Sequence, residues 1–353
     1  MNPWGAFAGH ERVIVAQDPI SGVRMVVALH STVLGPALGG TRMAAYADTP
    51  DPGAAAYADA LRLSRAMTYK NALAGLDHGG GKGVILAPPT NKDPAVLHAY
   101  GRLVTSLDGA YVTAGDVGMS VTDMDVIGEV CPWTTGRSPE KGGVGDSGIL
   151  TALGVFLGLR ASAQVVFGTD DVDGRRIAVV GAGKVGGRLI GHLAAAGAIV
   201  TALDPAESAR AAVLDANPQV RFVDSLEALL AEDPEVFSPN AMGGLITPEL
   251  ARQLGVRLVC GGANNQLADP AVGDLLAERG IVYAPDFMVN CGGVIQVAEE
   301  LVGGDLDRAR QRTERVFETT IRVLDRAASE GITPVAAAER EAEDRIADFG
   351  LTR

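Results

Sequence analysis

The spacing of apolar and polar residues changes several times along this chain, and each change marks an element. Residues 12–17 and 23–29 are rich in β-branched and apolar side chains around a turn-forming 18–22, which predicts a hairpin. The alanine-rich stretch 54–68 predicts a helix; Leu63, Ala66, Met67 and Lys70 follow the i, i+3, i+4, i+7 spacing of one face. A strand is predicted at 83–87, a helix at 93–107 and a further strand at 111–114. Ser120 to Asp123 reads as an N-cap opening the next helix.

Beyond residue 147 the rhythm is regular. Strand-like runs at 176–180, 199–203, 220–223, 235–238, 257–260 and 281–284 alternate with helical segments, the βαβ order of a parallel sheet. An apolar helix is predicted at 148–166, a charged amphipathic one at 305–330 and a last one at 337–347. The glycine-rich shift at 136–146 marks a boundary, so two α/β domains are expected. The first spans 1–146 and the second, a Rossmann domain, spans 147–332, with the terminal helix at about 333–353 packing back on the first.

Composition narrows the class. A formal charge of −13 argues against a nucleic-acid partner, which would demand a basic stripe. The apolar fraction of 47% and charged fraction of 21% are ordinary for a globular protein. No uninterrupted apolar run approaches the length needed to cross a bilayer, and residues 1–5 carry no export signal. Cys131, Cys260 and Cys291 are too far apart for a disulfide framework or metal spacing, and the histidines form no His-Glu-x-x-His pair. A cytoplasmic, metal-free enzyme or binding protein is expected.

Two stretches carry the chemistry. Met67-Thr-Tyr-Lys-Asn71 and Asp77-His-Gly-Gly-Gly-Lys82 deliver Lys70 and Lys82 to one expected site. The glycine run before Lys82 reads either as backbone brought close to a ligand or as a turn between helix and strand. Two cations in one pocket lower the pKa of one amine, which suits a base near neutral pH. Gly39-Gly40 reads as a second close approach or as a loop between strands. Asp116, just past a strand end and between glycines, is either a turn residue or a carboxylate reaching the lysines.

In the second half, a strand runs into Gly181-Ala182-Gly183-Lys184-Val185-Gly186, a helix follows, and Asp204 closes the next strand. That context makes the G-x-G-x-x-G a dinucleotide-binding turn, with the pyrophosphate at a helix N-terminus. Asp204 would bond the ribose hydroxyls and repel a 2′-phosphate, which favours NAD over NADP. Polar turns at 239–244 and 261–266 follow later strands, where a sheet touches its cofactor. Asn264 and Asn265 could equally cap the next helix.

Taken in order, Gly-Pro-Ala-Leu-Gly-Gly-Thr-Arg (35–42), Met-Thr-Tyr-Lys-Asn-Ala (67–72), Gly-Gly-Gly-Lys (79–82), Asp-Val-Gly (116–118), the glycine turn 181–186 and Ala-Asn-Asn-Gln-Leu (263–267) resemble the Glu/Leu/Phe/Val amino-acid dehydrogenase family. The likeness runs from about residue 10 to beyond 340. It implies reversible conversion of an L-amino acid, NAD and water to the 2-oxo acid, ammonia and NADH, in a cleft between the domains that excludes water on closing. By resemblance Lys70 binds the substrate carboxylate, Lys82 is the general base and Asp116 handles protons at the amino group. Gly39, Gly40 and Asn264 line the substrate, and Leu38, Met67, Ala114, Val294 and Val297 its side chain. Thr151 orients the nicotinamide, and Asn240, Ala241 and Asn264 join Gly181–Gly186 and Asp204 at the cofactor. The apolar side-chain pocket favours aliphatic substrates over glutamate; phenylalanine, or a non-catalytic NAD-binding regulator, are the rivals. Gly115, Met119, Ser120, Cys291 and Asn240 depart from the family pattern, and a homo-oligomer built on the first domain is implied.

Overall fold

A computed structural model describes residue 7 and residues 9–351; residues 1–5, read above for an export signal, lie outside the described part. The chain divides into two compact units. The first holds residues up to Ser147 together with Val294–Arg308 and the segment from Ala342; the second holds Gly148–Gly293 and Ala309–Glu341.

The first unit contains β1 (Arg12–Gln17), β2 (Arg24–Ser31), β3 (Ala37–Ala44), α1 (Pro52–Leu73), β4 (Gly79–Leu86), α2 (Pro94–Thr105), β5 (Tyr111–Gly115) and α3 (Val121–Gly128). Asp51 caps α1 by accepting from the Ala54 N–H, with Pro52 in the first turn, and Ser120 with Asp123 forms a capping box at α3. The sheet order is β1-β2-β4-β3-β5. β1–β2 and β2–β4 pair antiparallel, whereas β4–β3 and β3–β5 pair parallel. Alternation along the strands makes two cores. Met25, Val27, Leu29 and Ile85 pack with Leu97, Tyr100 and Ile127 of α2 and α3, and Val26, Ala28 and Val84 pack with Ala56 and Ala60 of α1.

Two sequence expectations change here. Residues 37–44 form a strand rather than a loop, and Gly79–Gly81 belong to β4 rather than to a turn before it. The reason is steric. A Cβ on Gly80 would sit 2.1 Å from the Thr68 nitrogen of α1, and one on Gly81 would sit 2.6 Å from the Tyr111 ring. A Cβ on Gly39 would fall 1.8 Å from the Gly81 carbonyl oxygen. The glycine run lets a helix and neighbouring strands lie against β4 at backbone distance.

The second unit opens with α4 (Gly148–Phe167) and continues through β6 (Arg176–Val180), α5 (Gly186–Ala195), β7 (Ile199–Leu203), α6 (Glu207–Ala216), β8 (Arg221–Val223) and α7 (Leu226–Leu230). Then come β9 (Val236–Pro239), α8 (Pro248–Gln253), β10 (Leu258–Val259), α9 (Ala271–Glu278), β11 (Val282–Tyr283) and α10 (Asp286–Val289). The sheet order β11-β10-β9-β6-β7-β8 is wholly parallel, the doubly wound Rossmann arrangement, with its switch point between β6 and β9. Contrary to the sequence expectation, α4 is long and apolar enough to cross a membrane. It is instead half buried within its own unit, where Gly158 packs on Val289 and Thr320.

The chain finishes with α11 (Gly292–Glu300), α12 (Leu306–Glu314), α13 (Val316–Glu330) and α14 (Pro334–Leu351). Ala309, Thr313, Val316, Thr320 and Val323 form one buried stripe across the break at Arg315, so the pattern reads as a single helix. Val294–Arg308, expected in the second domain, clusters with the first. Glu300 accepts from the Gly136 and Val144 N–H groups at 2.7 and 3.0 Å, and Gln296 donates to the Val144 carbonyl at 2.9 Å, which ties α11 to the 136–144 loop. Of α14, the part from Ala342 belongs to the first unit.

Because the obstacle above Gly80 is helix backbone, it cannot rotate away. Gly80→Ala should destabilise the protein by about 3 kcal/mol or more in urea unfolding, the upper end of overpacking costs. An unchanged midpoint would mean that α1 can lift off β4.

Candidate active site

β4 carries Gly80, Lys82 and Val84 on its α1 side, since Gly80 meets Thr68 and Val84 joins the α1 core. Lys82 is therefore held under a helix, only 5% exposed. Its Nζ donates to Asp116 Oδ2 at 2.6 Å. Asp116 stands one residue past β5, and its N–H donates to the Thr41 carbonyl at 3.1 Å, which anchors the carboxylate's backbone to β3. A Cβ on Gly40 would lie 2.8 Å from the Asp116 Cβ, so that glycine makes room for the acid.

A second cation shares the carboxylate. Arg42 Nε donates to Asp116 Oδ2 at 3.3 Å while its Nη1 donates to Asp59 Oδ2 at 2.7 Å; the Tyr46 hydroxyl donates to the same Asp59 oxygen at 2.7 Å. Burial by itself pushes the Asp116 carboxyl up, but the charges of Lys82 and Arg42 outweigh it and hold the group below its ordinary value. Asp116 is thus ionised at neutral pH.

Lys70 occupies the last turn of α1, half-buried, two residues beyond the Thr68 that covers Gly80. Next to it Asn71 is fully buried, and its Nδ2 donates to the Leu38 carbonyl at 3.1 Å and the Gly79 carbonyl at 2.6 Å. This amide ties the end of α1 to both β3 and β4. The Met67 side chain lies 3.2 Å from where a Gly39 Cβ would be, so these two residues pack together. Leu38 and Ala114 are buried on β3 and β5, and Val294 and Val297 are half-buried on the part of α11 that belongs to this unit. Gly115 has space beside it: a Cβ there would touch Met124 at an ordinary 3.5 Å.

The other predicted residues lie in the second unit. Gly181 has φ +95°, and a Cβ on it would meet the Ala241 nitrogen at 2.7 Å across the switch point between β6 and β9. A Cβ on Gly186 would strike the Gly181 carbonyl at 2.0 Å, which lets α5 start hard against the strand end. Gly183 has nothing within 4 Å, so the open side of the turn is the side available to a ligand. No side chain caps α5, and a helix N-terminus of this kind favours an anion. Asp204 accepts from the Ala182 and Ala206 N–H groups at 2.7 and 2.8 Å, and it lines a cavity of about 510 Å³ with Gly181, Pro205, Asp224 and Ala241. A tight first glycine, an open second one, a packed third one and an acid at the next strand end fit a dinucleotide.

Asn240 serves the loops themselves: its amide donates to the Ser238 carbonyl at 2.9 Å and its Oδ1 accepts from the Gly262 N–H at 2.8 Å. Asn264 Oδ1 accepts from Asn290 at 2.9 Å. Thr151 lies in the first turn of α4, where Gly292 approaches its backbone. Sequence reasoning passed over Arg42, Asp59 and Asn71. Arg42 and Asn71 stand inside quoted motifs, but their partners are scattered through the chain.

Residues 10–132 match the model of the Glu/Leu/Phe/Val dehydrogenase dimerisation domain, and residues 206–349 match that of Glutamate/Leucine/Phenylalanine/Valine dehydrogenase. The chain is 50% identical to a valine dehydrogenase of Streptomyces coelicolor over 96% of this chain and 93% of that one. It is 43% identical to a leucine dehydrogenase of Bacillus cereus, over 98% and 93% respectively. Among solved structures, the L-tryptophan dehydrogenase of Nostoc punctiforme superposes with a TM-score of 0.83 at 35% identity, covering 98% of this chain and 97% of that one.

The Lys82–Asp116 contact makes a prediction independent of turnover. Asp116→Asn leaves a buried ammonium without its counter-charge and should cost about 3 kcal/mol in urea unfolding. Adding Lys82→Met should recover most of that loss, a coupling that a double-mutant cycle isolates. Additive losses would mean the pair does not interact in solution.

Proposed function

The chain belongs to the Glu/Leu/Phe/Val dehydrogenase family, and from that premise we propose that it deaminates a branched-chain L-amino acid, valine foremost, to the 2-oxo acid and ammonia with reduction of NAD. It is an oxidoreductase acting on amino acids. The observation that carries the reading is the buried Lys82–Asp116 pair at 2.6 Å beside the helix end that bears Lys70. Identities of 50–51% to valine dehydrogenases against 42–43% to leucine dehydrogenases favour valine.

In this reading the Lys70 ammonium holds the substrate carboxylate, with the Gly39 and Gly40 backbone beside it. When bound, NAD would supply the acceptor for the hydride that leaves Cα. The remaining iminium carbon is attacked by water: Lys82, an ammonium at rest, first hands its proton to Asp116 across their hydrogen bond, and the amine so formed takes the proton of the water. Asp116, kept ionised by Lys82 and Arg42, stabilises the cationic nitrogen and exchanges protons with it and with Lys82 through their hydrogen bond. Collapse of the carbinolamine to the oxo acid expels ammonia. Residues of the second unit would hold the cofactor: Gly181–Gly186 the pyrophosphate, Asp204 the adenosine ribose with Ala241 lining the same cavity, and Thr151, Asn240 and Asn264 the nicotinamide half.

Leu38, Met67, Ala114, Val294 and Val297 give the substrate side chain an apolar lining with no charge for a second carboxylate. A methylene discriminates by only ~1–3 kcal/mol, so overlapping activity on valine, leucine and isoleucine is expected. A homo-oligomer formed through the first unit, working in the cytoplasm, completes the proposal.

Initial rates of NADH or NADPH formation test the chemistry. Valine, leucine and isoleucine with NAD should exceed phenylalanine, and glutamate or NADP should support little turnover. Fastest turnover on glutamate would refute the lining, and equal rates with NADP would refute the role given to Asp204. Light scattering should report a multiple of the 36.3 kDa chain; a monomer mass would remove the oligomer.

A further inference from the structure

The segment joining the two lysines is held by a residue from the far end of the sequence. α1 ends at Gly75, φ +69°, in a Schellman-type stop: the Leu76 N–H donates to the Asn71 carbonyl at 3.0 Å and the Gly75 N–H to the Ala72 carbonyl at 3.1 Å. Onto this turn α14 projects Arg345. Its Nη1 donates to the Ala72 carbonyl at 2.9 Å, the Leu76 carbonyl at 2.8 Å and the Asn71 carbonyl at 3.5 Å, and its Nη2 to Asp77 Oδ1 at 3.0 Å. One planar cation thus gathers the helix's last carbonyls and the first acid of the turn leading to β4. Burial disfavours the charge and Asp77 only partly offsets that.

A second grip lies two residues earlier. The Tyr69 hydroxyl donates to Glu343 Oε1 at 3.1 Å and accepts from Arg65 Nε and Nη2 at 3.2 and 3.1 Å. Glu343 and Arg345 therefore hold α1 at Tyr69 and at residues 71–77, on either side of Lys70 in the chain. All of these residues belong to the first unit. From the other direction, Asn71 fastens the same helix end to the Leu38 and Gly79 carbonyls.

We infer that Arg345 is a positioning residue for the lysine pair: by clamping the α1–β4 turn it sets where the Lys70 ammonium stands relative to Lys82. The inference rests on the roles proposed for Lys70 and Lys82. Neither an isolated helix cap nor a surface ion pair needs four acceptors on one guanidinium. A lysine has no planar fork and can serve only some of them, so replacement by lysine should repair the function in part.

The test compares Arg345→Met, Arg345→Lys and Lys82→Ala by steady-state kinetics with valine, fluorescence titration of NAD and thermal unfolding. For Arg345→Met, kcat/KM for the amino acid should fall by about 10- to 100-fold, the range that an ångström-scale misplacement produces. NAD affinity should stay within about twofold, because the residues proposed to hold it are in the other unit. Arg345→Lys should recover part of the loss, and Glu343→Gln should give a smaller change of the same kind with an intact fold. Full activity in a folded Arg345→Met protein alongside an inactive Lys82→Ala protein would overturn the inference alone. Parallel loss of NAD binding, thermal stability and activity, with no recovery in Arg345→Lys or selective effect in Glu343→Gln, would reduce Arg345 to a structural cap. Full activity in Lys82→Ala would remove the reading on which the inference stands.

Discussion

A buried ammonium must have a counter-charge, and the organisation of the first unit follows from giving Lys82 one. The lysine sits on a central strand beneath a helix, where an unpaired cation would cost several kcal/mol. Asp116 answers it from the end of β5, two strands away in sheet order, which requires β3 between them to be thin enough for the two side chains to meet. Gly40 provides that thinness directly under the Asp116 side chain. Arg42, two residues along the same strand, then supplies a second positive charge to the carboxylate and is itself held by Asp59 of α1. Helix, three strands and four charges form a single arrangement in which each charge has an assigned partner.

The second unit solves a different problem with the same residue type. Its glycines are not there to admit charge but to turn a chain sharply from β6 into α5 while leaving one flank open. There the anion-seeking groups are backbone N–H groups, and the acid Asp204 already accepts from the turn it faces. A hydrogen-bonded carboxylate at that spot holds the glycine turn in shape.

Which features were legible in the sequence depends on how local their causes are. The turn at 181–186 was readable because strand, turn, helix and acid follow one another along the chain, and each needs only its neighbours. The capping box at Ser120 and Asp123 was readable for the same reason. The glycines at 39–40 and 79–81 give no strand signal because glycine disfavours strands, and the surfaces that require it come from elsewhere: Thr68, Tyr111, Asp116. Arg42 and Arg345 escaped notice because an arginine in sequence looks like solvated charge until its acceptors are placed around it. The single amphipathic pattern at 305–330 concealed a break at Arg315, because the buried stripe runs through it without a change of phase.

The crowding around β4 also bears on how this chain can change over generations. Any single-nucleotide change that replaces glycine installs a side chain or stops translation, and at positions 80 and 81 every side chain begins with the atom that has nowhere to go. Drift at these sites is closed on the first step, whatever the eventual benefit of a larger residue. By contrast a Cβ on Gly115, one residue from the acid, would meet only Met124, at an ordinary 3.5 Å, so this position can accept small replacements. Variation should therefore enter at the rim of the acid–lysine pair, while the strand that carries the lysine stays as it is.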